Sequence, residues 1–359
     1  MSELKRTVLI MAGGHGERFW PSSRAKLPKQ FLCLTDPDRS MIQLTVDRVR
    51  RYTNIENVYI ATNRDYRELA RKQIPDLPAE NILCEPVGRN TAPCIALGAV
   101  HIAKKYGDAI MTVLPSDHLI KMPALFRDTL SAAAETAEAG RNIVTIGITP
   151  DEPETGYGYI QFQPDERLGR AYSVARFVEK PDLQTAKKYV DSGEYLWNSG
   201  MFTWKVSTIL DNLNRFLPEM TEGLGKIRDA VGTEDYENVL EEEFGRFPSV
   251  SIDYGVMEKA DRIYTLAGTF GWDDVGSWLA VSRIRSRDEN GNTLDGKVIA
   301  IDTENSIIQG RDRLIAAVGI SDAIVVDSGD AILICEKDRA GDIKKVLQAI
   351  RDRNMTDYL

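Results

Sequence analysis

Residues 7–31 have the sequence TVLIMAGGHGERFWPSSRAKLPKQF, which joins a strand pattern, a glycine-rich turn and a group of cations. Its first five residues are apolar or β-branched and suit a buried strand. The three glycines of the segment GGHG at 13–16 leave room for backbone N–H groups to surround an anion. Arg18 follows at once, and Lys26 and Lys29 come later in the same stretch. This order predicts a site for the phosphates of a nucleotide at the end of the first strand.

Two common phosphate loops do not fit this turn. The dinucleotide fingerprint G-x-G-x-x-G matches Gly14 and Gly16, but Phe19 stands where its third glycine belongs. The loop G-x-x-x-x-G-K-[ST] fails as well, because Glu17 and Arg18 follow Gly16. Taken alone, the glycines favour an ordinary turn after a strand. The cations and their spacing are what favour a phosphate site.

The order G-G-x-G-x-R-[FL]-x-P, followed by P-K, resembles the signature of the sugar-nucleotidyltransferase family. The Phe-Trp-Pro variant, with LPKQF at 27–31, resembles the mannose-1-phosphate guanylyltransferase branch of that family, and the resemblance extends over nearly the whole chain. It implies transfer of GMP from GTP to α-D-mannose 1-phosphate, with Mg²⁺ as cofactor. It also implies that the nucleotide is bound by Ala12, Gly13, Gly14, Gly16, Arg18 and Lys29, and that Arg18, Lys29 and Lys180 are catalytic.

The composition is that of a globular protein with room for one large domain and a smaller one, in 359 residues. The net charge of −9 argues against nucleic acid as a partner, because duplex-binding proteins usually present a basic surface. The first residues lead into the first strand without a signal peptide, and no apolar stretch approaches the ~20 residues of a membrane span. Four cysteines without C-x-x-C spacing predict free thiols, so we expect a cytoplasmic protein.

Up to about residue 150, short apolar runs alternate with helical patterns. Strands are predicted at 8–11, 58–61, 82–84, 110–114 and 143–148, and helices after Ser40, at 91–105 and at 123–139. This alternation predicts an α/β, Rossmann-like domain with right-handed crossovers, a mostly parallel mixed sheet and helices on both faces. Ligands of such sheets lie beyond the carboxyl ends of the strands, where the glycine turn also lies.

Beyond residue 150 the pattern becomes that of an antiparallel extension. Strands are predicted at 157–162, 174–179 and 201–206, and helices at 183–190, within a charged outer layer at 219–244, at 252–259 and at 276–285. A polar, turn-prone stretch at 288–292 predicts a boundary between a catalytic domain, 1–287, and a small C-terminal domain, 288–359.

The C-terminal domain has a regular spacing of apolar runs. The runs start eight or nine residues apart, near Val298, Ser306, Leu314, Ala323 and Ala331. This spacing predicts a β-solenoid, which the resemblance makes left-handed β-helix-like. A terminal helix follows, with an apolar face formed by Ile343, Val346, Leu347 and Ile350. A capping or dimerising module is the simplest interpretation, and we expect a homodimer.

Two aspartates are candidates for a metal site. Asp117, in LPSDH, ends the fourth predicted strand, and a carboxylate there can hold Mg²⁺, which prefers oxygen ligands and keeps several waters. Asp274, in GWDDVGSW, is the second candidate, although it could instead cap the following helix. Both segments match the family pattern, which puts Asp117 and Asp274 at its metal positions and Asp273 in a variable position. Three histidines, none spaced as ligands, argue against zinc.

The segment FVEKP at 177–181 is a candidate sugar-phosphate site. Its alternation predicts Glu179 and Lys180 on opposite faces of a strand end, although a surface ion pair is the alternative. The resemblance implies that Lys180 binds the phosphate of the sugar 1-phosphate, with Glu179 accepting hydrogen bonds from sugar hydroxyls. It also implies sugar contacts at Gly158, in GYGY, and at Asn198, in WNSGMF.

The segment EPVGRNTAP at 85–93 resembles the family segment beside the nucleobase, which implies nucleotide contacts at Glu85, Asn90 and Thr91. Asn90 or Thr91 could equally cap the helix that begins there. Guanine presents two donors on its pairing edge, and an ionised carboxylate offers two matching acceptors. Glu85 is therefore the candidate for reading the base, against the alternative of a solvent-facing glutamate before Pro86.

We expect GTP and mannose 1-phosphate as ligands, without nucleic acid or membrane. One alternative is the same chemistry on another nucleotide or on another hexose or heptose 1-phosphate. Another is a non-catalytic sugar-nucleotide sensor, which the presence of Asp117, Asp274 and Lys180 disfavours. Some relatives carry a C-terminal phosphomannose isomerase domain with metal-binding histidines. Since no histidine follows His118, we expect no isomerase activity.

Overall fold

The computed structural model describes residues 4–14 and 16–359. Their contacts group them into two compact units. Unit 1 comprises residues 4–13, 45–116 and 120–272, and unit 2 comprises 14, 16–44, 117–119 and 273–359. In this part of the chain, no helix combines the length and the apolar character needed to cross a membrane. The predicted domain boundary at 288 stays a prediction.

The strands are, in chain order, β1 Arg6–Ala12, β2 Val58–Asn63, β3 Ile82–Glu85, β4 Ile110–Pro115, β5 Leu119–Ile120, β6 Ile143–Ile148, β7 Tyr159–Leu168, β8 Ala171–Val178, β9 Tyr195–Lys205, β10 Ile263–Gly268, β11 Trp272–Asp273, β12 Thr293–Asp295, β13 Val298–Ile301, β14 Ile307–Gln309, β15 Ile315–Val318, β16 Ala323–Asp327 and β17 Ile332–Glu336. The α-helices are α1 Met41–Val49, α2 Arg67–Gln73, α3 Thr91–Tyr106, α4 Pro123–Glu138, α5 Leu183–Ser192, α6 Val206–Phe216, α7 Thr221–Ala230, α8 Tyr236–Arg246, α9 Trp278–Ile284 and α10 Ile343–Asp352.

Unit 1 is built on one mixed sheet. Within the described residues it has nine strands in the order β3-β2-β1-β4-β9-β6-β10-β8-β7. Strands β1 to β4 are parallel to one another, and β10 is parallel to β6, whereas β7, β8 and β9 pair antiparallel with their neighbours. The five strands predicted before residue 150 are confirmed. Because β1 and β3 run the same way, Gly13 and Glu85 come at the same edge of the sheet.

Helices cover both faces of this sheet, as predicted. One face buries a core shared with α3, α6, α7 and α8, which includes Leu9 and Trp204. The other face packs Val144 and Leu266 against the alanines of α4. Successive strand residues point to opposite faces, which is why an apolar run such as β4 can place Met111 in one core and Ile110 in the other.

Four predictions for secondary structure or burial are right only in part and need correction. The outer layer at 219–244 is α7 and α8, whose apolar residues complete the core, so it is not merely solvated. The strand predicted at 201–206 begins earlier, as β9, and so contains Asn198. The helix predicted at 252–259 is one π-helical turn, Asp253–Met257. In α10, Val346 is 37% exposed, whereas Ile343 and Leu347 are buried.

Unit 2 contains the predicted β-solenoid-like region. Strands β12, β14, β16 and β17 form one sheet and β13 and β15 another. The starts of β13 to β17 lie within one residue of those predicted, whereas β12 was not predicted. Their register places Ile308 and Val325 inside, against Ala317 of β15. A second core joins this region and α10 to Phe19, Trp20 and other apolar residues of the 16–44 segment.

Polar contacts also tie the 16–44 segment to the C-terminal part of unit 2. The indole Nε1 of Trp20 donates to the carbonyl of Tyr358 over 2.7 Å. Arg351 pairs with Glu17 at 2.6 Å. The residues that follow the glycine turn are therefore positioned by residues more than three hundred positions away in the chain.

Candidate active site

A buried lysine organises the first part of the candidate site. Lys29 begins a single 3₁₀ turn in unit 2 and is 6% exposed. Its Nζ donates to Oδ2 of Asp117 over 2.8 Å and to the backbone carbonyl of Asp274 over 2.7 Å. One ammonium group thus brings together the segments of both predicted metal ligands. We call Arg18, Lys29, Asp117 and Asp274 the phosphate cluster.

The ionisation of Asp117 follows from this contact. Burial opposes its charge, but the positive charge and hydrogen bond of Lys29, with a contribution from His118, outweigh burial and lower the pKa of Asp117. The carboxylate is therefore ionised at neutral pH. Because the folded-state pKa is depressed, the stability from this pairing is present above the ordinary pKa of roughly 3.9 and is lost on acidification below it.

Asp274 does not cap the following helix, contrary to the alternative left open by the sequence. Helix α9 starts after Ser277, and Oδ1 of Asp274 accepts from the N–H of Gly276 over 3.2 Å. A Cβ at Gly276 would lie 2.7 Å from Oδ2 of Asp274 and 3.3 Å from a guanidinium nitrogen of Arg18. Glycine at 276 therefore leaves space for both charged groups.

Asp273, the neighbouring carboxylate, has different partners. It pairs with Arg283 at 3.1 Å and accepts from the N–H of Val275 over 2.7 Å. These contacts agree with its lower rank as a metal ligand in the sequence.

The glycine turn is fitted closely to the Lys29 segment. Gly16 has φ +63°, and a Cβ there would lie 2.7 Å from the backbone nitrogen of Lys29. The Gln30 amide donates to the carbonyl of Gly14 over 3.0 Å, and Ser23 donates to that of Gly16 over 2.8 Å. A side chain at position 16 would therefore displace the lysine.

Glu85 forms the core of a second group, which lies in unit 1. It is the last residue of β3 and only 5% exposed, so the solvent-facing alternative is wrong. Burial raises the pKa of Glu85 to about 7, although a hydrogen bond with Cys94 acts in the opposite direction. Among the described residues, its Oε1 has no hydrogen-bond partner. A Cβ at Gly13 would approach Oε2 to 3.2 Å, which explains a glycine there.

The other predicted nucleotide residues of unit 1 have structural partners. Asn90, with φ +68°, caps α3 by accepting from the N–H of Thr91 over 2.8 Å. The Thr91 hydroxyl accepts from the N–H of Ile252 over 2.8 Å. Ala12 ends β1, and its carbonyl accepts from Thr62 over 2.8 Å.

Glu179 and Lys180 do not lie on opposite faces of a strand, contrary to prediction. Strand β8 ends at Val178, and Lys180 has φ +44°, so strand alternation no longer applies. Lys180 Nζ pairs with Glu179 Oε1 at 2.9 Å, which raises the pKa of Lys180. The side chain of Lys180 is 61% exposed and that of Glu179 only 15%, so the ammonium group remains accessible to a ligand.

The other predicted sugar-binding residues, Gly158 and Asn198, lie near this pair together with Asp253, which the sequence did not single out. The N–H of Asn198 donates to the carbonyl of Gly158 over 2.8 Å, and a Cβ at Gly158 would collide with Glu179. Asn198 Nδ2 donates to Oδ1 of Asp253 over 2.8 Å. We call Gly158, Glu179, Lys180, Asn198 and Asp253 the sugar cluster. The only sequence signal for Asp253 was a carboxylate next to the apolar Ile252.

The phosphate cluster suits a magnesium ion that is shared with a nucleotide. Among the described residues, no group of three or more His, Cys, Asp or Glu side chains could hold a metal. Mg²⁺ is commonly bound by one or two carboxylates together with substrate phosphates. Asp117 and Asp274 supply that number of carboxylates, so the residues present fit the ion.

Comparisons with known proteins find relatives over nearly the whole chain. Residues 7–291 match the family described as nucleotidyl transferase, and residues 296–350 match the MannoseP isomerase/GMP-like beta-helix domain. The chain is 40% identical to a mannose-1-phosphate guanylyltransferase of Salmonella montevideo, over 98% of this chain and 75% of that protein.

Solved structures resemble the chain as well. A structure described as mannose-1-phosphate geranyltransferase from Thermus thermophilus has 36% identity and a TM-score of 0.87, covering 97% of this chain and 100% of that one. A mannose-6-phosphate isomerase from Helicobacter pylori has 27% identity and a TM-score of 0.62, covering 75% of this chain and 100% of that one. The α/β nucleotidyltransferase fold and the C-terminal β-helix-like domain are confirmed. The left-handed sense of the β-helix stays a prediction.

Proposed function

The chain belongs to the nucleotidyltransferase family, in its mannose-1-phosphate guanylyltransferase branch, and from this premise we propose that it transfers GMP from GTP to α-D-mannose 1-phosphate. A phosphate oxygen of mannose 1-phosphate attacks the α-phosphorus of GTP. The new O–P bond yields GDP-mannose, and the bond to the β-phosphate breaks to release pyrophosphate. The observation that carries the proposal is the near full-length similarity, 40% identity over 98% of the chain.

The attacking oxygen is already anionic at neutral pH, so the reaction needs no general base. Catalysis then rests on positioning the phosphates and neutralising their charge. We assign the triphosphate to Arg18, Lys29 and the N–H groups of Gly13, Gly14 and Gly16. Mg²⁺ held by Asp117 and Asp274 would supply further charge neutralisation. Lys29 fixes the Asp117 carboxylate through the 2.8 Å contact.

The two other groups of residues take the base and the sugar. We assign the guanosine to Glu85 together with Ala12, Asn90 and Thr91, which all belong to unit 1. The exposed ammonium group of Lys180 is assigned to the phosphate of mannose 1-phosphate. Glu179, Gly158 and Asn198 are assigned to its hydroxyls.

Several finer expectations belong to this proposal. We expect a cytoplasmic homodimer without phosphomannose isomerase activity. Ile299 of β13 and Val318 of β15 are 48% and 63% exposed, and we assign such aliphatic side chains to the dimer contact. A non-catalytic sensor has no need for two metal-binding carboxylates, so the presence of Asp117 and Asp274 favours the enzyme.

The proposed function is tested by pyrophosphate release across a panel of nucleotides and sugar 1-phosphates, with Mg²⁺ present. We expect the highest kcat/KM for GTP with mannose 1-phosphate. A higher value for another pair would replace the substrate assignment. Absence of pyrophosphate release for every pair, with ligand binding retained, would favour the sensor.

Changing one cation of each site should separate the two substrates. Lys180→Ala should raise the KM for mannose 1-phosphate, whereas Arg18→Ala should raise the KM for GTP, each by about 10- to 100-fold for the loss of a charged hydrogen bond. Steady-state kinetics with each substrate varied in turn measures the effect. Lys187→Ala, on the exposed surface of α5, is the control for Lys180 and should change neither constant. Equal damage to both constants by both variants would contradict the assignment.

Glu85 should determine the preference for guanine. Its ionised carboxylate can accept from N1–H and the 2-amino group, whereas uracil and thymine offer one donor between two carbonyls. Glu85→Gln should lower kcat/KM for GTP by about 10- to 100-fold and relax the exclusion of UTP and dTTP. Glu80→Gln, an exposed neighbour, is the matched control. An unchanged preference for GTP would mean that other groups recognise the base.

The raised pKa of Glu85 allows a second test of this prediction, through its pH dependence. Because the group titrates near pH 7 in the free protein, kcat/KM for GTP should fall as the pH drops below 7. A raised folded-state pKa also means that Glu85 lowers stability as the pH rises towards 7. Glu85→Gln should therefore be more stable than the wild type at pH 8, and thermal unfolding at pH 5 and pH 8 would measure the difference.

A further inference from the structure

The sugar cluster contains two carboxylates close enough for the charge of Glu179 to act on Asp253, and each accepts a hydrogen bond from a different side chain. Oε1 of Glu179 accepts from the Lys180 ammonium group, and Oδ1 of Asp253 accepts from the Asn198 amide. The other oxygen of each, Oε2 of Glu179 and Oδ2 of Asp253, accepts from no other side chain among the described residues. The pair therefore retains acceptor capacity for a ligand.

The charges of these groups make the arrangement costly without a ligand. Burial, followed by the negative charge of Glu179, raises the pKa of Asp253. Two neighbouring carboxylates are stabilised by donors, and one lysine ammonium reaches only Glu179 by a direct contact. A ligand with two adjacent hydroxyl donors would supply what the protein itself does not.

The position of Asp253 is fixed from two sides. The residue before it, Ile252, donates its N–H to Thr91 at the start of α3, over 2.8 Å. Its own carboxylate is held by Asn198, which is in turn hydrogen-bonded to Gly158. The carboxylate is thus placed among the residues assigned to sugar binding, rather than on a mobile side chain.

We propose that Asp253 is a direct sugar contact, and that its Oδ2 and Oε2 of Glu179 accept hydrogen bonds from two neighbouring hydroxyls of the hexose ring. This inference rests on the proposed function. It makes Asp253 a determinant of sugar specificity, because a ring without one of the two hydroxyls leaves a carboxylate oxygen unpaired. An epimer that turns one hydroxyl away is rejected for the same reason.

The competing explanation is that Asp253 only positions Asn198. Asp253→Asn keeps the size of the side chain and removes its charge. Under the proposal, kcat/KM for mannose 1-phosphate falls by about 10- to 100-fold through KM, while the KM for GTP is unchanged. Asp261→Asn is the control, since Asp261 is an exposed carboxylate of the same unit that pairs with Arg215 at 2.9 Å.

The deciding experiment combines each protein with deoxy sugars. Wild type, Asp253→Asn and Asp261→Asn are assayed with mannose 1-phosphate and its 2-, 3-, 4- and 6-deoxy analogues. Under the proposal, one deoxy analogue has a lower kcat/KM than mannose 1-phosphate in the wild type, and this loss largely disappears in Asp253→Asn. The reason is that the hydroxyl and its acceptor act as a pair. If the loss caused by Asp253→Asn and the loss caused by the missing hydroxyl multiply for every analogue, the two groups act independently. That result would overturn the proposal and leave Asp253 as a positioning residue for Asn198.

Two further measurements distinguish failure of this proposal from failure of the proposed function. Calorimetric binding of each sugar phosphate to Asp261→Asn and Asp253→Asn repeats the cycle without chemistry, and thermal unfolding checks both folds. If Asp253→Asn does not fold, the cycle is run on the wild type with pH as the second variable. If the loss of kcat/KM for each analogue then stays the same at all pH values, the proposal is overturned. A wild type that neither binds nor uses mannose 1-phosphate would refute the proposed function instead.

Discussion

Asp117→Asn and Asp274→Asn should each lower kcat by about 10²- to 10³-fold while leaving the fold intact, since each removes charge from the proposed metal site. Removing both should cost little more than removing one, because groups that act as a unit are not additive. Steady-state kinetics at several Mg²⁺ concentrations measures both effects. Each single variant should also need more Mg²⁺ to reach its half-maximal rate.

Asp273→Asn is the matched control for this pair. Asp273 stands next to Asp274 but binds Arg283, so its removal should affect turnover far less. Activity of Asp274→Asn near that of the wild type would disprove the two-carboxylate site. A loss in Asp273→Asn as large as in Asp274→Asn would mean that local structure, rather than metal binding, explains the effect.

Lys29→Met should abolish most activity, by about 10²-fold or more, and also destabilise the protein. Lys29 is 6% exposed, and its loss leaves the Asp117 carboxylate and the Asp274 carbonyl without their donor. Breaking a fully buried ion pair costs about 3–5 kcal/mol, and since the side chain of Asp117 is 32% exposed, we expect a smaller cost here. Urea unfolding and steady-state kinetics are the two measurements.

The double variant Lys29→Met/Asp117→Asn separates stability from function. It removes the uncompensated charge, so it should recover part of the lost stability but none of the activity. Lys26→Met, an exposed lysine of the same segment, should change neither. A double variant as unstable as Lys29→Met would show that the ion pair is not the source of the destabilisation.

The sequence predicted those parts of the site that depend on local order. A strand followed by glycines and cations indicated Lys29. The family-like segment after the third predicted strand indicated Glu85, and parallel strands bring the ends of β1 and β3 to one sheet edge. Local periodicity failed at Lys180, whose positive φ takes the chain out of strand alternation. It also failed at Asp253, since a single π-helical turn has no periodic signal.

Contacts between distant segments were beyond any local pattern. That one ammonium group joins the Asp117 and Asp274 segments depends on residues 88 and 245 positions from Lys29. The family resemblance put Asp117 and Asp274 together as metal ligands, but neither it nor the spacing in the chain predicted their contacts with Lys29. The burial of Glu85 likewise follows from packing around β3 and not from the residues next to it.

The contacts between the 16–44 segment and the C-terminal part of unit 2 have a consequence for the order of events during protein synthesis. Residues 16–44 emerge from the ribosome early, but the carbonyl that receives Trp20 belongs to Tyr358, and Glu17 pairs with Arg351. The strands of unit 1 up to β10 can be complete before either partner exists. The loop assigned to GTP is therefore among the last parts to reach its final form. A nascent chain can hold most of its sheet and still lack the partners of Trp20 and Glu17, so we expect nucleotide binding only after residues 351–358 have been synthesised.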